Sequence, residues 1–252
     1  MSSDDVQPAG DKTFWEGVAE SRWGAYVSDI EERAILKAHD LCRKPATALE
    51  IGCEGGRWSK VLADLGWNMI CTDINDQTLT ICKKRIPQAN CILVKPDDNE
   101  LPCESESVAL LLSIEVAPVI KADWFINEAF RVLQNGGLMV GVFFNLLSFR
   151  GLFAHTASLL TGTFGYYSLS YPSWRKKLLS NGYSVLYEEG YCWFPFRRAS
   201  NSVFVPYFVR IEKELGLRKL VRISPWIVFI AQKASRGHLT SRRGYQAVPV
   251  SA

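Results

Sequence analysis

The 252 residues, with 48% hydrophobic and 22% charged side chains, hold enough apolar mass for one full core, and that composition excludes intrinsic disorder, collagen-like repeats and coiled coil. The net charge of +3 is accounted for by the last stretch, where 236–252 carry Arg236, Arg242 and Arg243 and no acid, so the body is neutral and offers no basic stripe for nucleic acid. The longest apolar run, Leu138–Leu147 interrupted by Asn145, is about half of a bilayer-spanning helix, and residues 1–12 lack the basic start and apolar stretch of a secretory signal, so no transmembrane segment and a cytoplasmic location are expected.

After a flexible lead-in (1–12), apolar residues at helical spacing over 13–42 predict one or two helices, including Trp15, Val18, Trp23, Tyr26, Val27, Ile30, Ala34 and Ile35. Pro45 ends that pattern. Thr47–Gly52 then reads as a buried strand entering a glycine cluster, and strands and helices alternate from there. Helices are expected at Arg57–Leu65, Asp76–Arg85 and Ala122–Leu133, and strands at Asn68–Asp73, Cys91–Lys95, Val108–Ile114 and Gly137–Phe144. This alternation predicts right-handed βαβ units and a doubly wound α/β sheet with helices on both faces. A helix-rich aromatic stretch to Gly165, a helix at Ser173–Ser180, a strand at Ser184–Trp193, a short helix at Val209–Leu215 and a strand at Pro225–Gln232 complete the domain, and 236–252 read as a disordered tail. One domain over 13–235 is expected: a helical cap (13–45), a cofactor-binding core (46–144), a substrate-side insert (145–182) and C-terminal strands (183–235).

Seven cysteines without a C-x-x-C pair, and three dispersed histidines, give neither a zinc signature nor a disulfide framework, so reduced structural thiols and no metal are expected.

The chemistry-bearing signal is Ala48-Leu49-Glu50-Ile51-Gly52-Cys53-Glu54-Gly55-Gly56-Arg57-Trp58, a strand ending in glycines that turns into a helix and lets a ligand approach the backbone. Asp73 ends the next strand, where an acid can accept hydrogen bonds from ribose hydroxyls. Val94-Lys95-Pro96-Asp97-Asp98-Asn99-Glu100-Leu101-Pro102 follows the third strand, and Arg131-Val132-Leu133-Gln134-Asn135-Gly136-Gly137 precedes the fifth. In these four pieces, over roughly 47–144, the sequence resembles the class I S-adenosylmethionine-dependent methyltransferases with LDxGCGxG, D-x-x-x-LP and RVLxPGG signatures. NAD is the rival ligand, but G-C-E-G-G lacks the second glycine of its fingerprint.

The resemblance implies a Rossmann-like sheet of seven strands, mostly parallel with an antiparallel last strand. It implies that Glu50 helps hold the methionine amino group, that Gly52, Cys53, Gly55, Gly56 and Arg57 form the close-approach turn, and that Asp73 and Ile74 flank the ribose. Asp97 and Asp98 would lie near the adenine amino group, and Ser113 and Glu115 beneath the methyl donor. Glu54 replaces the family's middle glycine, so its side chain must point away from the ligand or the turn must shift.

Methyl transfer needs an in-line nucleophile more than a strong base, so the catalytic group can be modest or absent. A small-molecule acceptor with an oxygen nucleophile is the first expectation. The acceptor-side candidates are Trp15, Trp23, Tyr26, Asn145, Arg150, Tyr166, Tyr167 and Tyr171, with His155 as candidate base, although aromatic residues at helical spacing are commonly core. Two alternatives stay open. Trp193–Arg198 and Tyr207–Arg210 combine rings with cations and suit peripheral contact with a membrane that carries a lipid-linked or sugar-containing acceptor. Glu54 and the lack of an obvious base suit a non-catalytic regulator.

Overall fold

The computed structural model describes residues 12–162 and 165–234. Its seven strands are β1 (Thr47–Ile51), β2 (Asn68–Asp73), β3 (Asn90–Leu93), β4 (Val108–Ser113), β5 (Leu133–Phe144), β6 (Tyr183–Tyr191) and β7 (Trp226–Lys233). They form one sheet in the order β3-β2-β1-β4-β5-β7-β6. The first five pair in parallel, while β7 runs antiparallel between β5 and β6. The last strand is thus antiparallel as expected, and it lies inside the sheet with β6 at the edge.

The helices are α1 (Phe14–Ala19), α2 (Arg22–Leu41), α3 (Arg57–Asp64), α4 (Asp76–Arg85), α5 (Ala117–Ile120), α6 (Phe125–Val132), α7 (Phe149–Thr161), α8 (Tyr171–Ser180) and α9 (Val205–Glu214). Their starts follow from local chemistry: the Ser21 hydroxyl accepts from Gly24 N at 3.0 Å to cap α2, and the Asn75 side chain accepts from Gln77 N at 2.9 Å to cap α4.

Alternate residues of each strand feed two cores. Ala48, Leu110 and Val140 pack with Ile30 and Ala34 of α2 on one face, and Leu49, Leu111 and Met139 pack with Phe125 and Ala129 of α6 on the other. That burial on both faces is what the near-continuous apolar runs encoded.

Three element starts differ from expectation by three or more residues. β5 begins at Leu133 rather than Gly137, because Leu133 pairs with Val108 ahead of a register shift in β4. α6 begins at Phe125 rather than Ala122, after the separate turn of α5 with Pro118 at its start. α9 begins at Val205 rather than Val209, with Pro206 in its first turn, where a missing N–H costs nothing. No described helix is long and apolar enough to cross a membrane. The expected tail lies outside the described residues, as does the lead-in apart from Lys12.

All seven cysteines are free. The Sγ atoms of Cys53, Cys71 and Cys82 nonetheless lie within 4.8 Å of one another, a grouping that their sequence spacing did not announce. They fill the space behind the glycine turn, where a Cβ on Gly56 would stand 2.5 Å from Cys82 Sγ.

Candidate active site

A cleft of about 640 Å³ opens at the carboxyl ends of β1, β2 and β4, in the range of small-molecule sites. One half is built from the β1 turn and the end of β2. Gly52 lies at φ 66°, and a Cβ there would meet Val116 Cγ2 at 2.7 Å. Glu50 is buried at the end of β1 and accepts a hydrogen bond from the Ser59 hydroxyl. Burial pushes its carboxyl group up to about 8, with Ser59 pulling partly the other way. Asp73 is fixed by two backbone donors, Glu54 N at 2.8 Å to Oδ2 and Asn75 N at 2.9 Å to Oδ1.

The glycine turn is clasped from outside by α1. Glu54 stands at φ 50°, a left-handed conformation that costs a side-chain-bearing residue free energy, and its carboxylate accepts from Trp15 N at 3.3 Å. Arg85 donates to Gly55 O at 2.9 Å and pairs with Glu16 of α1 at 2.8 Å. The glutamate in place of glycine thus serves as the tether for α1, and it still lines the cleft.

The other half is acidic at its base and aromatic at its rim. Glu31 of α2 is fully buried: its Oε1 accepts from the Tyr191 hydroxyl at 3.2 Å, whereas Oε2 has no hydrogen-bond donor and lies 3.8 Å from the Arg57 guanidinium. Burial first, and then the facing Glu115 carboxylate, push the Glu31 carboxyl group well above the usual range. Glu115 itself stands at φ 58° and pairs with Arg198 at 2.8 Å. The Arg198 guanidinium lies 4.7 Å from the Trp15 ring centroid and 5.0 Å from that of Trp226.

Of the residues singled out in the sequence, Glu50, Gly52, Cys53, Arg57, Asp73, Ile74, Glu115, Trp15, Trp23 and Tyr166 line this cleft. Gly55 and Gly56 shape the turn from behind. Asp97 and Asp98 are exposed after β3 outside the lining, and Asp98 accepts from Lys95 N at 2.8 Å. Ser113 is buried at the end of β4, its Oγ without a partner.

The remaining acceptor-side candidates lie outside the lining and hold the scaffold together. Tyr26 donates to Glu212 at 2.5 Å and accepts from Cys192 N at 3.1 Å. Asn145 is buried, donates to the carbonyls of Arg222 and Ser224 at 3.0 Å each, and accepts from Tyr171 N at 3.0 Å. Arg150 donates to Cys192 O at 3.2 Å, and Tyr167 accepts from Trp226 Nε1 at 2.7 Å. Tyr171 belongs to the other core and donates to Glu188 at 2.5 Å. His155 sits half-buried on α7, also outside the lining.

Glu31, Ser28, Val116, Pro118 and Trp226 line the cleft without having been singled out, and Arg198, read in the sequence as part of a membrane-side surface, lines it too. For Glu31 a signal existed: it lies four residues from both Val27 and Ile35 and so shares their buried face.

Residues 49–141 match the sequence family described as a methyltransferase domain. Among solved structures, a protein assigned as an S-adenosylmethionine-dependent methyltransferase from Listeria monocytogenes superposes with a TM-score of 0.58 at 13% identity, covering 81% of this chain and 97% of that one. An S-adenosylmethionine-dependent methyltransferase from Methanosarcina mazei gives 0.56 at 15% identity over 79% and 97%. Geranyl diphosphate methyltransferase in complex with geranyl diphosphate and sinefungin gives 0.54 at 12% identity over 79% and 78%. No curated protein matches the chain at a comparable level of significance.

Proposed function

From a chain that carries a class I S-adenosylmethionine-dependent methyltransferase domain, with S-adenosylmethionine as its cofactor, we propose methyl transfer in the cytosol to a hydroxyl oxygen of a small-molecule acceptor. The observation that carries the acceptor half of this reading is the Glu31–Glu115 carboxyl pair facing the cleft opposite Asp73 and Glu50.

The residues present suit the cofactor. The Gly52 turn leaves backbone open to the cleft, Glu50 offers a buried carboxyl group for an ammonium, and Asp73, already oriented by Glu54 N and Asn75 N, retains lone pairs for ribose hydroxyls. The bound sulfonium supplies an electrophilic methyl group. The protein's part is then to place the acceptor, exclude water and take up a proton. Trp15, Trp23 and Trp226 supply apolar walls. Glu115, charge-paired with Arg198 and lining the cleft, is the carboxylate placed to take the hydroxyl proton. His155 has no part in this arrangement.

Radiolabelled methyl transfer across a panel of hydroxyl and amine acceptors tests the reading. Turnover on a hydroxyl acceptor that falls sharply in Glu115→Gln supports it, and turnover confined to amines, unchanged by that substitution, refutes the oxygen assignment. A second reading, methylation of a lipid-borne acceptor, is favoured by the exposed apolar surface beside the cleft.

A further inference from the structure

Helix α7 is amphipathic the wrong way round for a soluble protein. At about 100° per residue, Phe149, Leu152, Phe153, Thr156, Leu159 and Leu160 fall on one arc of about 120°. That arc faces solvent, with Phe149 51%, Leu152 53%, Phe153 78%, Leu159 70% and Leu160 88% exposed. The small residues face the body instead: a Cβ on Gly151 would stand 2.2 Å from Asn145 O, and Gly165 packs on Ser158. A surface helix that turns its large apolar side chains outward presents an interaction face.

The charge pattern says what covers it. Between Glu128 and Glu188 the chain has no Asp or Glu, yet it holds Arg131, Arg150, Arg175, Lys176 and Lys177. A second acid-free run lies between Glu189 and Glu212 and carries Arg197, Arg198 and Arg210, together with exposed Val203 (69%), Phe204 (63%) and Tyr207 (62%) at the start of α9. The two runs are joined, since Arg150 of α7 donates to Cys192 O and the Phe194 ring lies 4.5 Å from that of Phe208 in α9. Arg131, Arg175, Lys177, Arg198 and Arg210 pair with Glu128, Glu188, Asp123, Glu115 and Glu214, while Lys176 and Arg197 of the same runs are exposed. Protruding apolar side chains in runs that carry exposed cations and no acid of their own match the boundary of an anionic bilayer, where rings and aliphatic chains enter the acyl region and cations meet headgroup phosphates.

We propose that α7, with the start of α9, docks this protein on an anionic membrane surface, so that the cleft mouth faces the bilayer. Tyr166, beyond the end of α7, lines the cleft, and its carbonyl accepts from Lys121 Nζ at 2.8 Å. Docking in this orientation delivers an amphiphilic acceptor whose reactive head enters the cleft while its chain stays in the membrane. That last step rests on the methyl-transfer reading, whereas the docking itself does not.

The test is flotation of the full-length protein with vesicles of phosphatidylcholine alone and of phosphatidylcholine mixed with phosphatidylglycerol. Phe153→Glu and Leu160→Glu alter the most exposed positions of α7, and Leu41→Glu, at the end of α2 away from the cleft, serves as control. The expected result is association with the anionic vesicles that falls at least about tenfold in either α7 variant and is retained in the control, with S-adenosylmethionine affinity unchanged in all three. No association with either vesicle, or association that both α7 variants retain, overturns the proposal. So does a concentration-dependent dimer, abolished by the α7 variants, in a protein that ignores vesicles. Flotation in a protein without S-adenosylmethionine affinity would remove the methyl-transfer reading and leave the docking surface standing.

Discussion

The backbone N–H of Glu54 donates to Asp73 Oδ2 at 2.8 Å, and the Glu54 carboxylate in turn accepts from Trp15 N. One residue in an unfavourable backbone conformation thus ties the cofactor turn, the end of β2 and α1 into a single unit. Asp73 has two jobs in this arrangement, orienting the turn and offering its free lone pairs to a ribose. Asp73→Ala should therefore weaken S-adenosylmethionine binding by about 10- to 100-fold, the effect of losing a hydrogen bond to a charged group. Asp73→Asn keeps one acceptor for Glu54 N and should fall between. Calorimetric titration measures both, and an unchanged affinity in Asp73→Ala would remove the ribose assignment.

The core over 47–144 was legible because buried strands alternating with short helices leave an unmistakable apolar rhythm, and because Gly52 and Asp73 are tied to strand ends. The acceptor half was not. Arg198 comes from an irregular segment after β6 whose position depends on β7 inserting between β5 and β6, a long-range pairing with no local signature. Tyr171 and Trp226 look alike in sequence, yet one lies in the far core and the other on the cleft wall, since which sheet face a ring meets is decided by tertiary packing. Glu31 was overlooked because an acid inside an apolar helical stripe reads as a solvated residue until the partner face is known.

Glu50 should make cofactor affinity depend on pH. With its carboxyl group raised to about 8, it is largely protonated near neutrality and must release its proton to pair with an ammonium. Affinity is expected to rise by up to about tenfold per unit as pH approaches 8 and then to level, whereas Glu50→Gln should bind weakly and without that slope. The stability linkage has the opposite direction. A folded value above the ordinary 4.5 means that the favourable contribution is complete below pH 4.5 and is lost as pH rises through about 8, at no more than about 1.4 kcal/mol per unit. Thermal denaturation of the unliganded protein should show Glu50→Gln gaining on the parent as pH rises; a constant difference across that window would contradict the assignment.

His155 should be dispensable for chemistry. It lies on α7, outside the cleft lining, and its visible bond is a carbonyl accepting from Ser158. His155→Ala is expected to leave turnover on a soluble acceptor within about twofold, the range of an ordinary surface change. A loss of two orders of magnitude in kcat with unchanged cofactor affinity would return it to the reacting centre.

Glu115 offers the sharpest separation of stability from activity. Its left-handed backbone, φ 58°, costs on the order of 1–3 kcal/mol for a residue with a side chain, and strain of that kind persists where the side chain is used. Glycine relieves the strain but loses the part-exposed Arg198 ion pair, worth about 0–1 kcal/mol. Glu115→Gly should therefore melt at or slightly above the parent temperature while losing at least about 100-fold in kcat, the usual range for removing a general base. Glu115→Gln, which keeps the length and the strain, should lose as much activity without the gain in stability. Glu31→Gln leaves Glu115 facing an amide in place of a carboxyl partner. Because burial keeps the Glu31 carboxyl group protonated, the amide is a near-isosteric neutral replacement, and turnover should survive in large part. The three variants, read together on one acceptor, separate a proton acceptor from a wall residue: a wall residue at 115 would raise KM and leave kcat nearly unmoved in both Glu115 variants.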